Sequence, residues 1–355
     1  MLSRLTVVVF MSLAIVGWLG CGHSTHAAHP AYVTVPVSNH VAGFNIDNKS
    51  GTLSAMPKSP FVTGNAPSSV TVHPSRKFAY VANAGDATLA LYTIGTSSEL
   101  TEVPPRMATR ANPLALTIDP SGSFLFVANA GSNSISVYSI NSGTGALGEI
   151  SGSPFPTTSP LALALSPSGK FLYVANATSG MVSAYGIQST GALTGGVSFA
   201  AGPNPSSIAV DPGGHFLYAT NETSTTFTGF SIDSVSGALS VMPGSPFPAG
   251  TNPSSAAFDT SGKFLYVANL GSNNISAFTL DAVTGVPTQI SGSPFAAGTA
   301  PLFLAVDPAG TFLYVGNQSS NNISGFMIDS STGALKATSQ GTAGTGAAPT
   351  SMFIS

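Results

Sequence analysis

The sequence predicts an all-β protein that folds as a single seven-bladed β-propeller of four-stranded blades, and three observations lead to this prediction. A strand motif recurs seven times at a spacing typical of propeller blades. Each repeat contains four short runs of strand-forming residues separated by turn residues. The two ends of the chain match different strands of one repeat, which predicts that the C-terminal strand pairs with the N-terminal blade and closes the ring.

The recurring motif is an aromatic strand. Phe171–Asn176 reads FLYVAN, and Phe264–Asn269 repeats it without change. The aromatic residue at its third position marks seven copies that are 45 to 48 residues apart, namely Tyr32, Tyr80, Phe126, Tyr173, Tyr218, Tyr266 and Tyr314. Four short strands in a period of about 40–50 residues are typical of a propeller blade.

The other strands of a repeat are recognised from their turns and their alternation. The first strand, such as 205–210, begins at a proline and ends in Asp211-Pro-Gly-Gly214, which has the residue preferences of a type I turn. The aromatic strand follows. A third strand, such as 275–280, alternates apolar and polar residues, and a weaker outer strand completes the unit.

The chain ends distinguish a closed ring from an open solenoid. Residues 349–355 match the first strand of a repeat and nothing after it, whereas 31–35 match the second strand. Together they complete one blade, so no strand edge is left unpaired at the seam. A solenoid would instead need capping units at its ends.

The N-terminal segment predicts export. Residues 1–20 are predicted to be a lipoprotein-type signal peptide, because the apolar run Leu5–Leu19 is too short to span a bilayer. The Trp-Leu-Gly-Cys sequence that ends at Cys21 resembles the lipobox of bacterial lipoproteins. Cys21 is therefore the predicted lipidation site. The alternative is ordinary signal cleavage nearby, for example after Ala27.

These assignments divide the chain into a signal peptide (1–20), a short linker after the lipidated cysteine (21–29) and the propeller (30–355). We expect an exported protein that is anchored by lipid to the outer membrane or cell surface. Without the anchor it would be periplasmic or secreted.

Composition limits the classes of function. Only 6% of the residues are charged, compared with roughly 25% in an ordinary soluble domain, and the net charge is −3. No Lys/Arg cluster occurs, which argues against a nucleic-acid partner. We expect no cofactor and no metal, because the sequence contains no metal-ligand cluster or Gly-rich phosphate loop. We also expect a monomer.

The Tyr-Val-Ala-Asn strand and the preceding Asp-Pro-Ser-Gly turn resemble the YVTN repeat, and residues 30–355 resemble the seven-bladed lactonase family, which includes 6-phosphogluconolactonase-like proteins. The resemblance implies hydrolysis of a small sugar lactone, with the ligand at the mouth of the central channel. The Pro-His-x-His and Asn-Arg stretches expected from the resemblance are absent. A non-catalytic binding or scaffold propeller at the cell envelope is therefore the alternative.

Residues that recur at the same position in several blades are interpreted as structural. One such set is the turn aspartates, which are Asp119, Asp211, Asp259 and Asp307. Another is the asparagine that closes each aromatic strand and is expected to stabilise a loop, namely Asn83, Asn129, Asn176, Asn221, Asn269 and Asn317.

Residues that break the repeat are the candidates for function. Arg106 and Arg110 lie in a stretch that is small and uncharged in other repeats, and they are the predicted ligand-binding pair for a small, anionic or sugar-derived ligand. A solvated loop is the alternative explanation. His40, Asp86 and Glu222 are weak candidates for catalysis, because each is expected on the same face of the ring as the arginines.

Overall fold

The computed structural model describes residues 28–355, which form seven antiparallel sheets arranged as a ring. The predicted seven-bladed propeller is confirmed. The predicted signal peptide, Cys21 and the linker up to residue 27 lie outside the described residues, and the first strand begins at Ala28, two residues before the predicted start of the domain. No helix between residues 28 and 355 is long and apolar enough to cross a membrane.

Each blade is built from strands that follow one another in the chain, except that blade 1 takes its innermost strand from the C-terminus. Blade 1 contains β1 (Ala28–Val35), β2 (His40–Asp47), β3 (Leu53–Ala55), β4 (Phe61–Val62) and the C-terminal strand β32 (Ser351–Ile354). Blade 2 contains β5 (Pro67–Val72), β6 (Phe78–Asn83), β7 (Thr88–Ile94) and β8 (Leu100–Ala108). Blade 3 contains β9 (Pro113–Ile118), β10 (Phe124–Asn129), β11 (Ser134–Ile140), β12 (Leu147–Glu149) and β13 (Phe155–Pro156).

The remaining four blades repeat this plan. Blade 4 contains β14 (Pro160–Leu165), β15 (Phe171–Asn176), β16 (Met181–Ile187) and β17 (Leu193–Ala200). Blade 5 contains β18 (Pro205–Val210), β19 (Phe216–Asn221), β20 (Thr226–Ile232), β21 (Leu239–Val241) and β22 (Phe247–Pro248). Blade 6 contains β23 (Pro253–Phe258), β24 (Phe264–Asn269), β25 (Asn274–Leu280), β26 (Pro287–Gln289) and β27 (Phe295–Ala296), and blade 7 contains β28 (Pro301–Val306), β29 (Phe312–Asn317), β30 (Asn322–Ile328) and β31 (Leu335–Gly344).

The outermost strand takes one of two forms. In blades 2, 4 and 7 it is continuous, as β8, β17 and β31. In blades 1, 3, 5 and 6 it is divided into two short strands that pair with the same third strand. Short 3-10 turns at Pro36–Ser38 and Ala130–Ser132 follow the second strands of blades 1 and 3.

The ring closes as predicted. β32 pairs antiparallel with β1, with Thr34 opposite Ser351 and Ala31 opposite Ile354. The backbone hydrogen bond from Ser355 to Pro30 extends the pairing by one residue beyond the strand. Each innermost strand contacts the innermost strand of the next blade all the way round the ring.

The hydrophobic core lies between the blades, and the alternation of each aromatic strand builds it. Successive side chains of a strand point to opposite faces of its sheet. In β24, Leu265 and Val267 pack into the cluster shared with blade 5, whereas Phe264 and Tyr266 pack into the cluster shared with blade 7. All four side chains are buried. Each aromatic strand therefore contributes to two interfaces at once.

The ring has two faces. We define the upper face as the one that carries the loops between second and third strands, such as 84–87, and the loops that lead into the innermost strands. The lower face carries the turns between first and second strands, such as 307–311. The first described residue, Ala28, lies at the lower end of β1, because second strands run from the lower to the upper face.

Candidate functional site at the channel mouth

A cavity of about 390 Å³ occupies the centre of the ring. The two residues that follow the proline at the start of each innermost strand, or in blade 1 the proline just before β32, contribute to its lining. Glu222 from the upper-face loop of blade 5 joins them. The strand residues are Ser68, Ser69, Leu114, Ala115, Leu161, Ala162, Ser206, Ser207, Ser254, Ser255, Leu302, Phe303, Thr350 and Ser351.

The hydroxyl groups of this lining connect neighbouring blades. The Ser68 hydroxyl donates a 2.6 Å hydrogen bond to the carbonyl of Pro113, and the Ser254 hydroxyl donates a 2.8 Å bond to the carbonyl of Pro301. In the other direction, the Ser69 hydroxyl accepts a hydrogen bond from the backbone N–H of Leu116. These bonds explain why serine recurs at the centre of the ring, since they satisfy backbone groups between separate sheets.

Glu222 is the one titratable side chain in the lining of this cavity. It directly follows the asparagine that closes the aromatic strand of blade 5. Its backbone N–H bonds the carbonyl of Asn204 in the loop that leads into the same blade, and this bond recurs in blades 2, 3, 4, 6 and 7. The equivalent residues are Ala84, Ala130, Ala177, Leu270 and Gln318. Blade 5 therefore places a carboxylate on a backbone position that elsewhere carries a neutral side chain.

The surroundings of Glu222 hold its carboxyl group at the cavity. The Asn204 amide donates a 3.4 Å hydrogen bond to the Glu222 carboxylate, and the Asn252 amide donates a 2.7 Å bond to the Glu222 backbone carbonyl. The side chain is half-buried, and this burial raises the pKa of Glu222. The Glu222 carboxyl group therefore loses its proton at a higher pH than an exposed glutamate does, and its carboxylate is a stronger base, as a general base requires.

The asparagine next to Glu222 has a feature that sequence reasoning did not identify. The carbonyl oxygen of the buried Asn221 side chain has no hydrogen-bond partner among the described residues. In blade 6 the equivalent oxygen, on Asn269, accepts the backbone N–H of Gly250. In blade 5 the corresponding N–H, on Gly202, bonds Gly180 instead. The loop that leads into blade 5 is therefore the place where the repeated hydrogen bonding changes.

His40 and Asp86 lie on the upper face, as expected, but neither lines the central cavity. His40 is the first residue of β2, opposite Val62 of the outer strand, and burial lowers its pKa. Asp86 organises its own loop, since its carboxylate accepts bonds from the backbone N–H of Asn65 and from the hydroxyl of Thr88. The structure therefore brings only Glu222, of the three candidates, to the channel. The catalytic roles suggested for His40 and Asp86 stay predictions.

The two arginines lie on the outer rim of the ring, and neither lines the central cavity. Arg106 lies within strand β8 and not in a loop. Its guanidinium pairs with Glu102, with a 2.5 Å distance between Nε and Oε1, because an i,i+4 spacing in this irregular part of β8 brings the two together. Arg110 lies in the loop after β8, and its Nη2 is 3.1 Å from a carboxylate oxygen of Glu149. Their ligand-binding role stays a prediction.

The residues that the repeat marked as structural have structural contacts. Asp307 is buried, and its carboxylate accepts hydrogen bonds from the backbone N–H groups of Ala309, Thr311 and Phe312. The amide of Asn317 donates to the hydroxyl of Ser324 in the third strand. The other turn aspartates make equivalent bonds, and so do Asn129, Asn176, Asn221 and Asn269. Asn83 donates instead to the hydroxyl of Thr88, also in the third strand. Both structural predictions are confirmed.

Residues 28–355 contain no group of three or more His, Cys, Asp or Glu side chains that could hold a metal ion. At the channel mouth, the half-buried carboxylate of Glu222 is surrounded by hydroxyl and apolar side chains and by the amide of Asn204.

The family model described as "Lactonase, 7-bladed beta-propeller" matches residues 23–162, 153–246 and 239–350. The chain belongs to this family. The resemblance of the YVTN-like strands to the seven-bladed lactonase family is thereby confirmed, and the closed ring of seven sheets has the architecture that the family name states.

Solved structures with the same fold cover nearly the whole lactonase-family domain. A Bacteroides fragilis protein described as a putative 6-phosphogluconolactonase is 20% identical, with a TM-score of 0.82 over 94% of this chain and 99% of that chain. The periplasmic gluconolactonase of Pseudomonas aeruginosa is 19% identical, with a TM-score of 0.78 over 92% of this chain and 99% of that chain. No curated protein gave a sequence match. At these identities the structural similarity shows the fold.

Proposed function

We propose that this protein hydrolyses a small, uncharged lactone at the upper mouth of the central channel, with Glu222 as the general base. The observation that carries the proposal is the position of Glu222. It lies on a backbone site that is repeated round the ring, and it supplies the one titratable group in the cavity lining. A residue that breaks a repeated pattern and lowers stability is expected to have a function. Burial of the Glu222 carboxylate lowers the free energy of unfolding, so Glu222 is such a residue.

The proposed chemistry needs one proton acceptor. The Glu222 carboxylate takes a proton from a water molecule as its oxygen attacks the lactone carbonyl carbon. The bond between that carbon and the ring oxygen then breaks, and the proton passes from Glu222 to the ring oxygen. The product is the open-chain hydroxy acid, and Glu222 returns to its ionised state. The raised pKa of Glu222 makes it a stronger base than an exposed glutamate.

The charge of the cavity supports an uncharged ligand. Among residues 28–355, no Lys, Arg or His side chain lines it. Arg106 and Arg110, on the outer rim of the ring, are paired with glutamates. A phosphate group would therefore meet a carboxylate and no counter-charge. Membership of the lactonase family, together with the fold shared with the Pseudomonas gluconolactonase, favours a lactone as the substrate.

A binding protein without catalysis is the second candidate, and one observation favours it. Glu222 is not accompanied in the cavity lining by a second acid, a histidine or an arginine that could stabilise the oxyanion of the tetrahedral intermediate. Under this alternative, Glu222 accepts hydrogen bonds from the hydroxyl groups of the ligand and no bond is broken.

Turnover of glucono-δ-lactone, measured as acid release above the spontaneous rate, separates the two candidate functions. The variants Glu222→Gln and Glu222→Ala use residues found at the equivalent position in other blades, so we expect both to fold. A general base contributes typically 10²–10⁴-fold, and we expect a loss of about 100-fold or more in each variant. Glu99→Gln, the same change at a glutamate outside the cavity lining, should retain activity. Wild-type protein that binds the lactone without turnover would favour the binding protein.

We also propose that the mature protein is exported and anchored through acylated Cys21. The lipobox-like sequence carries this proposal, and the periplasmic location stated for the Pseudomonas gluconolactonase agrees with export. The Cys21→Ala variant should move the protein from the membrane fraction to the soluble fraction or block its processing. A wild-type protein that is soluble without detergent would contradict the anchor.

A further inference from the structure

Three leucines interrupt the ring of hydroxyl groups at the channel mouth. Directly after the proline that begins or precedes the innermost strand, Ser68, Ser206, Ser254 and Thr350 carry hydroxyls in blades 2, 5, 6 and 1. Blades 3 and 4 carry Leu114 and Leu161 at this position, and blade 7 carries Leu302. The leucines are partly exposed to the cavity.

The fold explains Leu302 but not the other two. Leu302 packs against the hydrophobic cluster between blades 7 and 1. Leu114 and Leu161 contribute to none of the seven interblade clusters that the described residues form. They also give up the hydrogen bond that Ser68 and Ser254 donate to the next blade. Apolar surface that gains no packing and replaces a hydrogen bond indicates a binding surface.

The position of the two leucines relates them to the proposed catalytic group. Blades 3, 4 and 5 are consecutive in the ring, so Leu114 and Leu161 form one apolar arc that ends beside the blade that carries Glu222. The same cavity is lined by all three side chains. Ala115 and Ala162, the next residues of the two strands, extend the apolar arc.

We propose that Leu114 and Leu161 are specificity-determining residues that bind an apolar substituent of the lactone. This inference rests on the proposed function and names its substrate class: a lactone with a hydrocarbon substituent, in preference to a fully hydroxylated or phosphorylated sugar lactone. The hydrocarbon covers the two leucines while Glu222 faces the ring carbonyl. Covering them removes their exposed area from water, which favours binding of a substituted lactone over an unsubstituted one.

The test compares two substrates and two variants. Wild-type protein is expected to have a higher kcat/KM for a δ-lactone with a pentyl substituent than for glucono-δ-lactone. Leu114→Ser and Leu161→Ser restore the residue of blades 2, 5 and 6 and can fold with the serine bonding of those blades. We expect each to lower kcat/KM for the pentyl lactone about tenfold and to leave that for glucono-δ-lactone within about twofold. Val241→Ser, the same kind of change on the exposed rim, should alter neither.

A binding measurement separates failure of this inference from failure of the proposed catalysis. δ-Lactams resist hydrolysis and keep the shape of the ring, so their affinity depends on the cavity alone. A pentyl-substituted δ-lactam should bind wild-type protein and Glu222→Gln about tenfold more tightly than the unsubstituted lactam, and Leu161→Ser should abolish the difference. Equal affinities for the two lactams in the wild type would overturn the inference even if Glu222 proves catalytic. A preference that survives both leucine variants would overturn it as well.

Discussion

The hydroxyl of Tyr314 donates a 2.9 Å hydrogen bond to the backbone carbonyl of Gly51, across the seam between the last blade and the first. Burial, with a smaller contribution from Asp307 and Asp47, raises the pKa of Tyr314, so the hydroxyl stays protonated and remains a donor. The marker tyrosine makes the same kind of bond at five other interfaces, namely Tyr32 to Ser98, Tyr80 to Gly145, Tyr173 to Gly237, Tyr218 to Gly285 and Tyr266 to Gly333. The aromatic residue that identifies the repeat therefore also joins every blade except blade 3 to the next one.

Removal of this hydroxyl should weaken the seam. We expect Tyr314→Phe to lower the free energy of unfolding by about 1–2 kcal/mol, because it leaves the Gly51 carbonyl without its partner. Blade 3 carries Phe126 at the equivalent position, which shows that a phenyl ring fits there. Tyr80→Phe should cost a similar amount at an interface away from the seam. Denaturant unfolding measures both, and an unchanged midpoint for Tyr314→Phe would count against a role of the hydroxyl.

Gly51, whose carbonyl accepts the Tyr314 hydrogen bond, is constrained both by its backbone conformation and by the neighbouring ring of Phe312. Gly51 has a φ of +69°, and a β-carbon added to it would overlap the ring of Phe312. Gly341 has a φ of +70° and open space around it. We expect Gly341→Ala to cost about 1 kcal/mol from backbone strain alone and Gly51→Ala a further 1–3 kcal/mol from the overlap. Equal losses in denaturant unfolding would show that Phe312 moves away freely.

Ring closure can be tested by removing the C-terminal strand. Deletion of residues 349–355 leaves the edge of β1 unpaired and uncovers the core between blades 7 and 1, so we expect a large fall in melting temperature together with aggregation. A synthetic peptide of the deleted sequence should restore part of the lost stability. A deletion variant that melts like the parent protein would contradict closure by this strand.

Burial of Glu222 also predicts a dependence of stability on pH. Its folded-state pKa is raised above that of the unfolded chain, so the folded protein binds this proton more tightly. Stability contributed by the protonated form is present below the unfolded pKa and is lost as the pH rises through the folded pKa. Glu222→Gln should therefore gain stability relative to the wild type as the pH rises through this window. A difference that does not change with pH would show that Glu222 is solvated like an exposed glutamate.

Much of this fold could be predicted from the sequence because the blades repeat the same strands, turns and local hydrogen bonds. The turn aspartates and strand-closing asparagines bond backbone within a few residues of themselves, and such local contacts appear directly in the repeat. Closure followed from the match of residues 349–355 to a first strand. The candidate site was less predictable, because it depends on which side chains from seven separate strands meet at the centre.

The arginines illustrate this difference. Arg106 and Arg110 stood out because they break the repeat, but their partners could not be recognised from the local pattern. Glu149 lies 39 residues after Arg110 and meets it only because blades 2 and 3 are adjacent. For Glu222 a usable signal was present in the sequence. Alignment of the residue after each strand-closing asparagine shows Ala, Ala, Ala, Glu, Leu and Gln, and it identifies the one carboxylate.

The dependence of kcat/KM on pH tests the central claim, that Glu222 is the base at the channel mouth, most directly. For wild-type protein with glucono-δ-lactone, corrected for spontaneous hydrolysis, we predict a rising limb whose pKa lies above the ordinary range of a glutamate, because the carboxyl group must ionise before it can accept a proton. In Glu222→Gln this limb should be absent, and the residual rate should be low at every pH. A limb of the same pKa and height in Glu222→Gln would contradict the claim and place the base elsewhere.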